Sequence, residues 1–193
     1  TKNNYLMSIV YLSNRFGIAI ADVTTGDFMV TEVDKIRSLL DEVYKFSPAE
    51  IICNEAFCMS GVDMEELKNR VHVCIYPLES WYFDDTLCAR TLKEHFHVST
   101  LEGLGLKDYE CATISAGALL TYLLNTQKTT LDHMRAITPY ATADAGLIST
   151  VLRHLASEIE EKNPGAKEMR EWAETHVEKP ELKEIKRIKK PNC

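Results

Sequence analysis

The first hundred residues alternate between apolar runs and polar turns, a pattern that predicts β-strands. Strands are expected over 5–12, 16–23 and 28–33, and the short turns between them predict an antiparallel meander. The second turn contains Gly26, which can adopt a positive φ there. Large and small side chains alternate in the middle strand, so one of its faces carries only small residues: Gly17, Ala19 and Ala21.

After the meander, amphipathic helical stretches alternate with short apolar strands. This part predicts a helix after the N-cap candidate Asp34, a strand over 50–53, a helix over 64–70 after the N-cap Asp63, a strand over 71–76 and a helix over 84–96. The order is therefore β-β-β-α-β-α-β-α. The later strands are too apolar to face water, so helices must cover a mixed five-stranded sheet. The predicted fold class is α/β, and the order matches the ribonuclease H-like architecture.

Residues 101–128 mark a change from mixed strands and helices before them to helices after them. The segment begins with Gly103 and Gly105 in a short apolar turn, which we interpret as a hinge. A helix follows, and small side chains at its middle predict close approach of another element: Ala116, Gly117 and Ala118. The sequence thus predicts two units, a domain over 1–100 and a helical segment over 101–193.

The rest of the chain is predicted to be an all-α extension. A short apolar segment over 131–137 precedes Pro139, and amphipathic helices are expected over 142–161 and 166–177. The apolar stripe of these last two helices has no evident partner in so short a chain, so self-association to a homodimer is one hypothesis. Residues 178–193 are rich in Lys, Arg and Glu, as expected for a solvated tail.

Charge, cysteine pattern and missing motifs disfavour several classes of function for this chain. The 193 residues carry a formal net charge of −7, which disfavours direct binding to nucleic-acid phosphates over the whole surface. None of the six cysteines forms a C-x-x-C pair and five lie in apolar segments, so buried, reduced thiols in a cytoplasmic protein are expected. No apolar run approaches the length of a membrane span, and no P-loop sequence occurs.

Candidate catalytic residues are few. A two-metal nuclease with the ribonuclease H-like order needs clustered carboxylates, and the candidates are Asp22, Asp27 and Glu55, although the first strand contains none. Asp22 and Asp27 flank a turn, where Asp is common for local backbone reasons. The spacing of His95 and His97 puts them on different faces of a helix rather than on one metal. The residues favour a scaffold or coupling module with no assigned catalytic, cofactor-binding or metal-binding residue, and a divergent metal-dependent nuclease is the alternative.

Several short stretches, taken in order, resemble one protein family. They are NNYL at 3–6, GIAIADVTTGDF at 17–28, SPAEIICNE at 47–55, HF at 95–96 followed by LEGLGL at 101–106, AGALLTYLLNTQK at 116–128, LDH at 131–133 and ITPY at 137–140. This ordered set resembles the connector domain of the MutS family of DNA mismatch-repair proteins, followed by the first helix of the core or lever domain. The resemblance covers residues 3–140.

The resemblance implies a non-catalytic module that couples mismatch binding to the ATPase of a MutS-type chain, docks a MutL-type partner and meets DNA only indirectly. No catalytic residue and no cofactor is carried over, because the family's ATP-binding P-loop lies far downstream. The family's mismatch-reading domain, with its Phe-x-Glu wedge, would precede residue 1, and the family's continuation after Tyr140 is not matched by 141–193. The chain is therefore expected to be a piece of a longer protein or a shorter natural relative with its own helical end.

Overall fold

The computed structural model describes residues 3–142 and five isolated positions, 162, 163, 165, 168 and 172. The strands are β1 (Tyr5–Leu12), β2 (Arg15–Asp22), β3 (Asp27–Val33), β4 (Glu50–Cys53), β5 (Cys74–Pro77) and β6 (Thr138–Pro139). The α-helices are α1 (Ile36–Phe46), α2 (Glu55–Cys58), α3 (Met64–Val71), α4 (Asp85–Phe96) and α5 (Glu110–Thr126), and 3₁₀ helices lie at Ser80–Phe83 and Leu101–Leu104. The helices predicted over 142–161 and 166–177, and with them the proposed self-association surface, fall outside the described residues apart from isolated positions.

The strands form one mixed sheet in the order β5-β4-β1-β2-β3-β6. Strands β1, β2 and β3 are antiparallel neighbours, whereas β4 pairs parallel to β1 and β5 pairs parallel to β4. This confirms the α/β class and is consistent with the ribonuclease H-like order. The predicted number of five strands is wrong, because Thr138–Pro139 adds a sixth strand parallel to β3. Two residues that include a proline carry no recognisable strand pattern.

Within the described part of the chain, helices cover both faces of the sheet, and apolar side chains are buried on each face. On one face, Leu39 of α1, Phe57 of α2 and Leu67 of α3 pack against the large side chains of β2. On the other face, α5 packs against β2, which carries the small side chains Ala19 and Ala21 there, and α4 packs against α5. The predicted alternation of large and small faces along β2 is therefore confirmed. The small face lets a helix lie close to the sheet, because little side-chain volume separates the two backbones.

Local signals at turns and helix ends give a mixed result. The Asp63 carboxylate accepts a hydrogen bond of 3.0 Å from the Glu66 backbone, so the predicted cap of α3 is confirmed. Gly26 has a φ of 82°, as its turn requires. The predicted cap at Asp34 is wrong, because α1 begins one residue later and Lys35 occupies the N-cap position without a side-chain hydrogen bond. Helix α1 is held instead by its buried apolar face.

The predicted helical character of the chain beyond residue 101 is wrong for 127–142, where turns and β6 replace a helix. The compact unit that contains the sheet runs from Thr1 to Thr142, rather than ending at the predicted boundary at residue 100. The physical reason is that α5 and residues after it supply a large part of one core. The second unit comprises Ala143–Cys193.

The described cysteines are all free thiols. Cys53, Cys88 and Cys111 are buried, as predicted, but Cys58 is only partly buried and Cys74 is exposed. Cys74 is exposed because β5 is the edge strand of the sheet, which the sequence pattern alone does not reveal. Within the described part of the chain, no helix has the length and hydropathy needed to cross a membrane.

Candidate functional site

Helix α5, which the sequence analysis places at a junction, begins in direct contact with β2. A Cβ atom added to Gly17 would lie 2.1 Å from the carbonyl oxygen of Cys111 and 2.7 Å from the backbone nitrogen of Ala112. No side chain fits in that space, so glycine is required for the first turn of α5 to touch the strand. The contact joins two backbones, which are much less able to move aside than side chains.

The same turn of α5 is held electrostatically by Glu32 of β3. Its Oε1 atom accepts a hydrogen bond of 3.0 Å from the backbone nitrogen of Ala112, and its Oε2 atom lies 3.1 Å from Nε of Arg15. The Glu32 side chain is 5% exposed, whereas that of Arg15 is 44% exposed. A carboxylate at a helix N-terminus satisfies a free backbone N–H and interacts favourably with the helix dipole. Glu32 therefore acts as a clamp between the sheet and α5.

Further along, α5 makes a buried polar contact with the central strand β1. The hydroxyl of Ser115 donates a hydrogen bond of 2.8 Å to the carbonyl oxygen of Ser8, and the two hydroxyls lie 3.0 Å apart. Both serines are fully buried. The Cys111 thiol donates to the carbonyl oxygen of Leu12 at 3.3 Å, and burial, followed by Glu32, raises its pKa to about 11. These bonds define where α5 lies along β1, since a shift would leave buried polar groups unpaired.

The small residues Ala116, Gly117 and Ala118 lie at the middle of α5, between the sheet and α4. Ala116 and Ala118 are fully buried. A Cβ atom at Gly117 would lie 2.3 Å from Cβ and 2.5 Å from Cα of Cys88 in α4. Burial, followed by the nearby carboxylates of Asp84 and Asp85, raises the pKa of Cys88 to about 12. Cys88 is therefore a packing residue, and α5 is held from both sides.

The predicted hinge residues lie just before α5. Gly103 is in the 3₁₀ helix Leu101–Leu104, where its N–H donates to the Thr100 hydroxyl at 3.3 Å. Gly105 ends this helix with a φ of 75°, and a Cβ atom there would lie 3.2 Å from Cγ of Pro139. The positive φ explains why position 105 favours glycine. The hinge role of the two glycines stays a prediction.

Residues 127–142, which we call the return strap, run from the end of α5 back to the far edge of the sheet. Leu131, Met134 and Ile137 are buried in the same core as α5. The Nε2 atom of His95 lies 2.9 Å from the carbonyl oxygen of Met134, and because a carbonyl only accepts, this nitrogen donates. The His133 ring bonds in the same way to the carbonyl oxygen of Val23. The strap is thus integrated into the domain by apolar and polar contacts.

The end of the return strap is held by Tyr140. Its backbone nitrogen donates to the carbonyl oxygen of Val30 at 2.9 Å, and its carbonyl oxygen accepts from the Thr31 hydroxyl at 2.8 Å. Its phenol donates to the carboxylate of Glu42 in α1 at 2.8 Å. Burial, together with this hydrogen bond to the carboxylate, raises the pKa of Tyr140. Tyr140 therefore links the strap to the sheet and to the helix on the opposite face.

A family model described as MutS domain II matches residues 4–135. The chain belongs to the MutS family. The DNA mismatch repair protein MutS of Lachnoclostridium phytofermentans is 51% identical over 143 residues, which are 74% of this chain and 15% of that protein. The MutS proteins of Chlamydia abortus and Ruminiclostridium cellulolyticum are 35% and 36% identical, over 68% and 72% of this chain and 16% of each relative. The chain therefore spans about a sixth of the length of these MutS relatives.

The stretches of sequence that resemble the MutS family lie on strands, turns and helix starts of the sheet-containing domain. The stretch 17–28 forms most of β2, the turn after it and the start of β3, and the stretch 47–55 contains β4 and the start of α2. MutS domain II is the connector of mismatch-repair proteins, and its match continues to residue 135, through α5 and into the return strap. The junction predicted at residue 101 therefore lies inside the matched region, because α5 is part of the connector's own core.

The three carboxylates proposed for the nuclease alternative do not form one site. Asp22 and Asp27 face each other across β2 and β3, and Asp22 pairs with Tyr5 of β1. Glu55 follows β4, whose last residue Cys53 pairs with Ile9, so Glu55 lies at the opposite end of β1. Tyr5 and Ile9 are four strand positions apart, which corresponds to about 13 Å, and Glu55 lies beyond that point. A two-metal site made of these three side chains is therefore not present.

Asp22 instead stabilises its turn. The side chain is fully buried, and its Oδ1 atom accepts hydrogen bonds from the backbone and the hydroxyl of Thr24. Burial acts to raise the pKa of Asp22, but the hydrogen bonds from Thr24 and from neighbouring backbone groups outweigh it and lower the pKa. His97 ends α4 in a left-handed conformation, and among the described residues no group of three His, Cys, Asp or Glu could hold a metal ion.

Sequence reasoning missed Glu32, Tyr140 and the return strap as parts of this site. Glu32 occurs in a strand as an ordinary alternating polar residue, and its helix partner is 80 positions away. Tyr140 follows a proline in a segment without regular periodicity. The sequence feature that could have revealed the return strap is the spacing of apolar residues at 131, 134 and 137. This spacing indicates that the strap is buried, but it does not show which element packs on the strap.

Proposed function

We propose that this chain is a non-catalytic connector that passes a conformational signal between mismatch binding and the ATPase of a MutS-type protein. The observation that carries the proposal is the attachment of α5 to the sheet at its first turn, where Gly17 admits the helix and Glu32 clamps it. Cys88 of α4 and the return strap hold the other sides of the helix. Elements packed in this way move together, so a displacement at one edge of the module reaches the other edge.

Weakening the clamp is expected to reduce this coupling. In the full-length repair protein, Glu32→Gln keeps the shape of the side chain but removes the charge that faces the N-terminus of α5 and Arg15. We expect the stimulation of ATP hydrolysis by mismatched DNA to fall about fivefold, the factor that corresponds to about 1 kcal/mol of lost interaction. The measurement is the ratio of ATPase rates with mismatched and fully paired DNA.

The control for Glu32 is Glu102→Gln, which removes the same charge from an exposed position. This variant should keep the stimulation of the parent protein. Binding to mismatched DNA should remain unchanged in both variants, because the proposal places Glu32 in signal transmission and not in DNA contact. Unchanged stimulation in Glu32→Gln, or equal losses in both variants, would contradict the role of the clamp.

The second half of the proposal is that the module docks a MutL-type partner. The support is a group of aromatic side chains at the β5 edge, which we call the aromatic patch: Tyr76, Trp81, Tyr82 and Tyr122. Trp81 is 45% exposed and stacks on Tyr82 with ring centroids 3.9 Å apart. The Tyr122 hydroxyl donates a hydrogen bond of 3.1 Å to the carboxylate of Glu50 in β4, the strand that pairs with β5, and the Tyr82 hydroxyl lies 3.5 Å from the side-chain nitrogen of Asn125 in the same helix as Tyr122. Tyr and Trp are enriched at protein interfaces because they bury a large area at low entropic cost.

Trp81→Ala is expected to weaken capture of a MutL-type protein by the chain about tenfold or more, since truncating a central aromatic residue costs about 2 kcal/mol. Pull-down and cross-linking at a series of partner concentrations give the measurement. Met59→Ala, which truncates a side chain that is 73% exposed and lies at the end of α2, is the matched control and should bind normally. Failure of the parent chain to bind at any concentration would refute docking, whereas equal binding of both variants would refute the patch alone.

A further inference from the structure

The start of α2 brings two thiols together. Strand β4 ends at Cys53, and Asn54 caps the helix by accepting a hydrogen bond from the backbone nitrogen of Phe57 at 3.3 Å. The residue immediately before an N-cap and the residue four positions after the cap lie side by side across the first turn of a helix. These two positions are usually occupied by apolar side chains that pack together. Here the two positions are occupied by Cys53 and Cys58, whose Sγ atoms are 3.9 Å apart.

The framework around the two thiols is fixed by the sheet. The Asn54 side chain makes two hydrogen bonds to the backbone of Tyr11 in β1, one to the nitrogen and one to the oxygen, each of 3.0 Å. Phe57, between the two cysteines, is fully buried and packs against Phe16. A disulfide requires the two sulfur atoms to approach from 3.9 Å to about 2 Å, a change of about 2 Å. The backbone therefore keeps both sulfur atoms within reach of each other.

The two thiols differ in their access to solvent. Cys53 is fully buried, and this burial, with a further effect of Cys58, raises the pKa of the Cys53 thiol. Cys58 is partly exposed. An oxidant in solution consequently meets Cys58 first, while Cys53 is shielded from solvent.

We propose that Cys53 and Cys58 form a redox-modifiable dithiol that closes to an intramolecular disulfide when a peroxide reaches Cys58. In the first step the sulfur of Cys58 attacks the peroxide, the O–O bond breaks, and Cys58 becomes a sulfenic acid with release of one water from hydrogen peroxide. In the second step the sulfur of Cys53 attacks that of Cys58, the S–O bond breaks, and the Cys53 proton leaves with the hydroxyl as a second water. The dithiol loses two electrons in total, and these reduce the peroxide.

The test uses the full chain, treated with hydrogen peroxide and then alkylated in denaturant so that every remaining thiol is labelled. Peptide mass mapping is expected to find a Cys53–Cys58 disulfide in the parent chain, which a dithiol reductant reverses. Cys58→Ser should lose this disulfide and leave Cys53 fully alkylated. Cys74→Ser removes an exposed thiol from the edge strand and should form the disulfide as the parent does.

A second measurement is independent of the oxidation rate. Phenylarsine oxide bridges two neighbouring thiols, so the reduced parent chain should retain it through Cys53 and Cys58, and Cys58→Ser should not. Circular dichroism of Cys58→Ser checks that the variant is folded. The proposal is overturned if oxidised Cys58 accumulates as sulfinic acid while Cys53 remains free, or if the disulfide and the arsenical adduct are both absent from the folded parent chain.

Discussion

Gly17→Ala is expected to destabilise the domain by more than about 3 kcal/mol, a large effect for the addition of one methyl group. The new Cβ atom would lie 2.1 Å from the carbonyl oxygen of Cys111, and the atoms it meets belong to the backbone of α5. To relieve the clash, the helix must move away from β2, which breaks the Glu32 hydrogen bond to Ala112 and the Ser115 bond to Ser8. The midpoint of thermal unfolding should fall by about 10 °C or more.

Gly103→Ala is the matched control for this prediction. A Cβ atom at Gly103 would lie 3.6 Å from the side chain of Val98, an ordinary van der Waals distance, and this residue does not have a positive φ. We expect the stability to change by less than about 1 kcal/mol. The outcome that contradicts the proposed seating of α5 is a similar, small change in both variants when chemical denaturation is followed by circular dichroism.

Leu131→Ala is expected to lower the free energy of unfolding by about 2–5 kcal/mol, the range for removing a buried leucine side chain. Leu131 is 3% exposed and belongs to the core that α4 and α5 share. Because the return strap contributes to that core, the variant should still unfold in one transition, at a lower denaturant concentration. A helix projecting from the domain would behave differently, since its truncation would leave the stability of the domain nearly unchanged.

The neighbouring Asp132→Ala is the control for Leu131, because Asp132 is exposed on the same strap. Its effect should remain within about 0.5 kcal/mol. Denaturant unfolding monitored by circular dichroism measures both variants. If Leu131→Ala and Asp132→Ala unfold at the same denaturant concentration as the parent, the strap is not part of the cooperative unit.

Much of the fold was predictable because its signals are local. Strands β1, β2 and β3 follow from alternating side chains and polar turns, and the Asp63 cap follows from residue type and position. The family resemblance was equally accessible, since it depends on short stretches in a given order. The errors arose where local signals were weak or ambiguous. Asp34 is a good capping residue one position too early, and Thr138–Pro139 is too short to show any periodicity.

The candidate site was less predictable because its contacts join distant parts of the chain. The sequence indicated that something approaches Gly117 closely, but not that it is Cys88, 29 positions earlier. It also supplied Asp22, Asp27 and Glu55 as candidates for one site, whereas the strand register puts Glu55 at the other end of the sheet. The pairing of Cys53 and Cys58 is an intermediate case, because their spacing across an N-cap is a local feature of the sequence that differs from the C-x-x-C pattern.

By itself the sequence determined the α/β class, the three-stranded meander, the two faces of β2 and the membership of the MutS family. These depend on side-chain periodicity and on ordered motifs, which neighbouring residues encode. Only the tertiary structure decided that α5 belongs to the core of the connector, that Glu32 clamps its first turn, and that the return strap adds a sixth strand. The physical reason is that each of these features satisfies a backbone group or buries an apolar side chain with a partner brought close only by folding.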